Sequence, residues 1–337
     1  MNRLSLALVG FGNVGRAFAR LILRKQAQLT AEYGLDVRIA GIATARHGIA
    51  VDPRGLDIGQ VLAQAESGRP LGRAGDIFEF IHACPADALL ENTPVNHLTG
   101  RPASDYLRAA LERGMHAITA NKGPVVHAYH ELKALADRMG RRFLFESAVM
   151  DGAPIFSLFR GPLPAANLTG FSGILNSCTN LILDKMAAGE SFDEAVRYAQ
   201  SIGIAETDPS ADIDGWDAAI KVAALSTVLL DTPLTPQEVE REGIRSLSPG
   251  MIAEALKNGE RWKLVCSARK ENGRVIGRVK PERVGPSSPY YHITGTSSYV
   301  EFQLDVLPGL GIVETSPGPE TTAYGLLADL INAVRGM

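Results

Sequence analysis

The sequence predicts an α/β protein, with an N-terminal doubly wound parallel sheet followed by an α+β domain. Three observations carry this. Residues 4–146 alternate short apolar runs with stretches of helical periodicity, the pattern of a parallel sheet wrapped by helices. Gly10-Phe11-Gly12-Asn13-Val14-Gly15 stands between the first apolar run and the first helical stretch. The 337 residues are enough for two cores, and the alternation ends after Glu146.

Taken in order, the spacing predicts strands at Leu4–Gly10, Asp36–Ala43, Ile77–Ala83, Met115–Thr119 and Arg142–Glu146. Helices are expected between them at Val14–Leu29, Ala103–Arg113 and Val126–Met139. Beyond Glu146, Leu168–Leu175 reads as a strand running into a helix, and helices follow at Asn180–Ala188 and Phe192–Ser201. Asp208-Pro209 disfavours helix at the residue before proline, whereas Trp216, Ala219, Ile220, Ala223 and Ala224 recur at helical spacing. A proline-rich passage, Thr232-Pro233-Leu234-Thr235-Pro236, leads to strands at Trp262–Ala268, Val275–Val279 and Tyr299–Val306. A closing helix, Thr321–Val334, carries apolar residues at Ala323, Leu326, Leu327, Leu330 and Ile331. The expected domains are 1–147 and 148–318, with 319–337 placed to pack back on the first.

Composition narrows the function. A net charge of −3, with 34 basic and 37 acidic residues and no dense Lys/Arg block, gives no footprint for nucleic acid. No apolar run reaches the roughly 18–20 residues that span a bilayer, so no membrane partner is expected. Leu4–Val9 runs straight into glycines, unlike a secretory signal. Cys84, Cys178 and Cys266 are odd in number and far apart, which fits a reducing, cytoplasmic setting with no disulfide framework or zinc site. The histidines show no ligand pairing beyond an incidental His127/His130 spacing.

Gly10–Gly15 is a complete G-x-G-x-x-G, after a strand and opening a helix, the context of a Rossmann-like dinucleotide site. The helix N-terminus offers N–H donors to a pyrophosphate. At the end of the second strand, Thr44-Ala45-Arg46-His47 holds no acid for a ribose 2′-hydroxyl, and Arg46 is placed to meet a 2′-phosphate. NADP(H) is therefore the preferred cofactor. The alternative is a surface arginine and acceptance of NAD(H) as well. Asn121-Lys122-Gly123-Pro124 follows another strand, so Lys122 faces a ligand and Asn121 can bond a carboxamide or ribose; a plain turn lysine is the alternative.

The densest chemistry lies at Glu206–Lys221, with five acids and one lysine. Asp217 and Lys221 are four apart on a helix and so neighbours on one face. A lysine among carboxylates beside apolar surface can transfer protons; a solvated acidic cap with one surface ion pair is the bland alternative.

With these pieces assembled the chain resembles the homoserine dehydrogenases over nearly its whole length. The most specific motifs are Thr93-Pro94, Asn121-Lys122-Gly123-Pro124, Gly173-Ile174-Leu175-Asn176, Pro319-Glu320-Thr321-Thr322-Ala323 and above all Glu206–Lys221. The resemblance implies interconversion of L-homoserine and L-aspartate 4-semialdehyde in threonine and methionine biosynthesis. It implies proton transfer by Lys221, which Asp217 orients, and capture of the substrate ammonium by Glu206 and Asp212, which charge complementarity supports. Lys122 would sit between cofactor and substrate, with its own claim on the proton, and Thr93 would contact cofactor. Three departures from the family's pattern matter. Ser177 and Cys178 replace a Gly-Thr that contacts substrate in relatives, and thiol is a weaker donor than hydroxyl. Ile204 replaces a common tyrosine. The loop Val149-Met150-Asp151-Gly152-Ala153 replaces a glycine-rich one around a monovalent cation, Na⁺ or K⁺, expected at Glu146, Val149, Asp151 and Ala153. Relatives dimerise through sheets of the second domain, so a homodimer is expected. The C-terminal regulatory domain and the fused aspartate kinase of longer relatives do not fit in this length.

Other readings stay open. A dehydrogenase of a related amino or hydroxy acid would suit Ser177, Cys178 and Ile204. A nucleotide sensor would keep the fold without the chemistry. An aspartate-semialdehyde dehydrogenase needs a cysteine with a histidine base, yet no histidine occurs between His130 and His292.

Overall fold

The computed structural model describes residues 2–271 and 273–335. The chain divides into two compact units, 1–161 with 318–337 and 162–317.

The first unit contains β1 (Asn2–Val9), α1 (Asn13–Tyr33), β2 (Leu35–Thr44), β3 (Gly48–Val51), α2 (Ile58–Glu66), α3 (Ile77–Ala83), β4 (Ala88–Glu91), α4 (Ala103–Glu112), β5 (His116–Thr119), α5 (Lys122–His127), α6 (Tyr129–Arg138), β6 (Phe143–Leu144) and α7 (Ile155–Arg160). Its sheet runs in the order β3-β2-β1-β4-β5-β6, parallel except for the antiparallel β2–β3 pair. The connection reverses direction between β1 and β4, where such sheets open a crevice at the strands' C-terminal ends.

Three sequence expectations fail here, each for a local reason. Ile77–Ala83 is a helix: Asp76 caps it by accepting from the Glu79 N–H, and Phe80 and Ile81 form its buried side. The strand of this region is β4, whose Ala88-Leu89-Leu90 is too short a run to declare itself by periodicity. Val126–Met139 breaks at Ala128 into α5 and α6. Only Phe143–Leu144 of the Arg142–Glu146 run pairs with β5; Glu146 opens a 3₁₀ turn instead.

Residues 148–161, assigned above to the second domain, belong to the first unit. The cause is the buried Glu146 carboxylate, which accepts from the N–H groups of Phe156 (2.6 Å) and Ser157 (2.8 Å) and from the Arg160 guanidinium (2.8 Å). Arg160 also lies 3.5 Å from Asp329 of the closing helix, Pro319–Arg335, and Asp329 accepts from the Glu146 N–H at 2.6 Å. Burial, and then the neighbouring Glu146, push the Asp329 carboxyl up to about 7. Ala323, Leu326, Leu327 and Leu330 share one core with Phe18, Leu21 and Ile22 of α1 and Leu6 and Leu8 of β1.

The second unit contains β7 (Leu168–Ile174), α8 (Ser177–Ala187), α9 (Phe192–Ser201), α10 (Ser210–Ile213), α11 (Trp216–Leu229), β8 (Glu240–Arg241), α12 (Pro249–Lys257), β9 (Arg261–Glu271), β10 (Arg274–Val284), β11 (Ser298–Leu304) and β12 (Leu310–Glu314). Its sheet, β12-β11-β7-β9-β10-β8, is antiparallel apart from the β8–β10 edge. Lys263 of β9 is fully buried, donating to Asn180 (2.7 Å), Asp184 (2.9 Å) and the Ile293 carbonyl (2.6 Å). It thereby ties α8 to the chain entering β11. No helix among the described residues is long and apolar enough to cross a membrane.

Leu326→Ala is expected to destabilise the first unit by about 2–5 kcal/mol, since the side chain is fully buried in the core that the closing helix completes. Denaturant unfolding measures this; a change under 1 kcal/mol would show that the helix is only loosely attached.

Candidate active site

The candidate cofactor site is built on the β1–β4 crevice of the first unit. Gly10 has φ +93, and a Cβ there would lie 2.6 Å from the Asn92 carbonyl, so the turn admits only glycine. A Cβ on Gly15 would lie 2.8 Å from the Gly10 carbonyl, which is why α1 can pass so close to β1. Helix α1 begins after Gly12 with no side-chain cap, leaving its first N–H groups to an anion. Asn13 is engaged by Arg16 at 2.8 Å, Phe11 is buried and Val14 packs on the core.

Beside this turn β4 ends at Glu91, a fully buried carboxylate. It accepts from the Thr93 N–H (2.7 Å), the Thr93 hydroxyl and the Thr119 hydroxyl (2.7 Å). Burial pushes its pKa up, against these donors. Asn121 donates to the Thr93 carbonyl (3.2 Å) and accepts from the Gly123 N–H (2.9 Å), capping α5. Lys122 is the first residue of that helix and is half-buried. Thr93, Thr119 and Asn121 thus gather around an acid that gives no signal in the sequence, because β4 is too short to show a period, and Lys122 follows Asn121 into α5. The Asn92 amide is buried beside Gly10 without a hydrogen-bond partner, the condition of a group that a ligand completes. Arg46 is exposed in the turn between β2 and β3, and β2 ends at Thr44 with no acid. These features fit a dinucleotide with its pyrophosphate over the α1 N-terminus.

The catalytic candidates of the second unit converge on the end of β7. Lys221 and Asp217 pair at 2.9 Å along α11, and the Lys221 ammonium donates to the Leu175 carbonyl at 2.6 Å. The Asn176 amide donates to Asp212 on α10 (2.7 Å) and to Asp217 (2.9 Å). Cys178, the second residue of α8, is buried with its thiol bonded to Asp212; burial and then that carboxylate raise its pKa. The Ser177 hydroxyl meets that of Ser298 at 3.2 Å. Glu206 is exposed before α10, with its carbonyl held by Gln200 (3.2 Å).

The five acids of Glu206–Lys221 therefore differ in kind. Asp208 caps a turn by accepting from the Ser210 N–H at 3.1 Å. Asp214 forms a two-pronged pair with Arg245 (2.9 and 3.2 Å), and Arg241 stacks 3.7 Å over the Trp216 ring.

Around the expected cation loop, Glu146 has its carboxylate committed to α7 and Arg160. The Asp151 carboxylate accepts from the Thr321 hydroxyl at 3.1 Å. Among the described residues no group of three or more His, Cys, Asp or Glu could hold a metal. An ion at Glu146, Val149, Asp151 and Ala153 fits only through main-chain carbonyls.

Residues 10–146 match the model of the homoserine dehydrogenase NAD-binding domain, and 154–331 match the homoserine dehydrogenase model. The chain belongs to the homoserine dehydrogenase family. It is 37% identical to an NAD(+)-dependent homoserine dehydrogenase of Pseudomonas canavaninivorans, over 98% of this chain and 96% of the relative. It is 33% identical to the homoserine dehydrogenase of Sulfurisphaera tokodaii, over 97% of this chain and 98% of the other. A hyperthermophilic archaeal homoserine dehydrogenase solved with NADPH superposes with a TM-score of 0.85 at 27% identity, covering 100% of this chain and 99% of its own. Family membership carries an NAD(P)-binding first unit and an oxidoreductase fold.

All three thiols are buried and raised, Cys84 and Cys266 to about 12, so the thiolate fraction at pH 8 is very small. Iodoacetamide at pH 8 is expected to leave the native protein unmodified and to label three sites after denaturation, as read by intact mass. Rapid native labelling of Cys178 would show that its contact with Asp212 opens.

Proposed function

We propose that the protein catalyses the NAD(P)-dependent interconversion of L-homoserine and L-aspartate 4-semialdehyde, with NADP(H) preferred. The observation that carries this reading is the Lys221 ammonium held between Asp217 and the Leu175 carbonyl, with Asp212 joined to the same network. Gly10, Gly12 and Gly15, with the α1 N-terminus, hold the dinucleotide; Thr93, Asn121 and Lys122 line its nicotinamide end. When bound, that group accepts or supplies the hydride. In the oxidative direction Lys221, as the neutral amine, takes the proton from the substrate hydroxyl and becomes the ammonium; in the reductive direction the ammonium returns it to the oxygen. Asp217, 2.9 Å away, fixes the position of the lysine nitrogen. Glu206 and Asp212 receive the substrate ammonium, and Ser177 and Cys178 border the same place. Lys122, half-buried at the start of α5, is the second lysine with a claim on the proton-transfer role.

Preference for NADP(H) rests on Arg46 in an exposed turn beyond a strand end that lacks an acid. The same proposal includes Na⁺ or K⁺ on the carbonyls of Glu146, Val149, Asp151 and Ala153, checked by assay in buffers with and without each ion. It also includes a homodimer, checked by light scattering.

Purified protein with homoserine and NADP⁺ should generate the NADPH absorbance band. No reduction with homoserine, but turnover of another amino or hydroxy acid, would move the substrate assignment; binding without any turnover would make the protein a sensor. Lys221→Ala is expected to bind NADPH as the parent does and to lose ~10²–10⁴-fold in kcat; normal turnover would remove Lys221 from the mechanism. Arg46→Ala should lower kcat/KM for NADP⁺ about ten-fold or more, the worth of one charge-assisted hydrogen bond, and leave NAD⁺ unchanged. Equal effects on both cofactors would take Arg46 away from the 2′-phosphate.

A further inference from the structure

Asn176 is one of the few fully enclosed polar side chains of the second unit, and its surroundings are unusually specific. Its Oδ1 accepts from the Thr179 N–H (2.8 Å) and the Thr179 hydroxyl (2.8 Å), capping α8. Its Nδ2 donates to Asp212 at 2.7 Å and to Asp217 at 2.9 Å. A primary amide has two N–H donors and two acceptor lone pairs, and this arrangement uses all four. The orientation is chemically fixed. Turned over, the amide would aim its oxygen at two carboxylates and its NH₂ at the Thr179 N–H.

No other side chain does this work. Aspartate would add a third negative charge against two, serine has a single donor, and glutamine is one methylene too long to cap its own helix. Two carboxylates drawn to one centre repel unless donors lie between them. The adjacent Leu175 carbonyl receives Lys221 at 2.6 Å. Two consecutive residues at the end of β7 therefore hold the lysine and both carboxylates, one through the main chain and the other through its amide.

We propose that Asn176 is a positioning residue for the Lys221 proton-transfer group, its amide joining Asp212 and Asp217 so that the carboxylate receiving the substrate ammonium and the one holding Lys221 keep a fixed separation. This rests on the roles given to those residues under the proposed function. It makes ammonium recognition and proton transfer parts of one rigid network. A substrate lacking the α-ammonium would then lose turnover as well as affinity.

The test compares Asn176→Ser and Asn176→Asp with the parent enzyme. Serine keeps an N-cap acceptor and removes the bridge without adding charge; aspartate keeps the cap and places a third carboxylate in the cluster. For Asn176→Ser the protein should stay folded with a measurable drop in Tm and NADPH affinity should stay near the parent, while kcat falls ~10–100-fold, as misplacement of a catalytic group does. KM for homoserine should rise severalfold and KM for the cofactor should not move. Asn176→Asp should fall further. A kcat for Asn176→Ser within twofold of the parent would overturn the proposal, as would a loss explained wholly by unfolded protein. A thermal cycle with Asp212→Asn decides the bridge without turnover. The Tm loss of Asn176→Ser should shrink when one carboxylate is already neutral, and strictly additive losses would refute the bridge. If the parent fails to oxidise homoserine, the substrate reading falls while this cycle still decides the bridge.

Discussion

Charge held away from water must be met by donors or by an opposite charge, because an unpaired ion in the interior costs several kcal/mol. That constraint shapes both units. Glu91 is met by two threonines, and the loops that meet it are the ones that frame the β1–β4 crevice. Glu146 and Asp329 share the Arg160 guanidinium, and in doing so they fasten α7 and the closing helix to the first unit. Lys263 is met by Asp184 and two oxygens, which fixes the chain entering β11. Asp212, Asp217 and Lys221 are met through Leu175 and Asn176. In each case at least one partner comes from a segment distant in sequence, so satisfying the charge also fixes the local architecture.

The two units solve different problems with related geometry. In the first, glycines remove side chains so that backbone can approach backbone, leaving uncapped N–H groups for a phosphate-rich ligand. In the second, side chains are added at a strand end until a lysine and two carboxylates are locked together. Both sites lie at the C-terminal end of a strand that opens a helix, β1 into α1 and β7 into α8. The helix start is bare in one case and capped by Asn176 in the other. A bare start suits an anion; a capped one frees the amide's other end for carboxylates.

Much of this was legible in the sequence, for identifiable reasons. The turn Gly10–Gly15 announces itself because steric demands leave glycine alone at Gly10 and Gly15. Long periodic helices such as α1, α11 and the closing helix were read from apolar spacing, which survives any register. The Asp217–Lys221 pair followed from helical spacing alone. What was missed depends on tertiary partners. Ile77–Ala83 is apolar enough for a strand, and only the Asp76 cap and the packing of Phe80 make it a helix. β4 is four residues long, too short to show a period, so Glu91 went unseen. Asn176 sat in a recognised motif, but its bridge requires Asp212 and Asp217 to arrive from 36 and 41 residues away. The reach of Glu146 into α7 decided a boundary that composition placed fourteen residues too early.

The contact between Glu146 and Asp329 spans 183 residues. Since the second unit is inserted between them, the first unit cannot finish folding on the ribosome until the closing helix has emerged. The second unit, continuous in sequence, is free to fold earlier. The nascent chain would thus carry a dinucleotide sheet with an open apolar flank at Leu6, Leu8, Phe18 and Leu21 for the time needed to make the inserted unit. Closing so long a loop is an entropic and kinetic burden. The order of maturation is then the reverse of the order of synthesis: the inserted unit is built before the unit that encloses it in sequence is sealed.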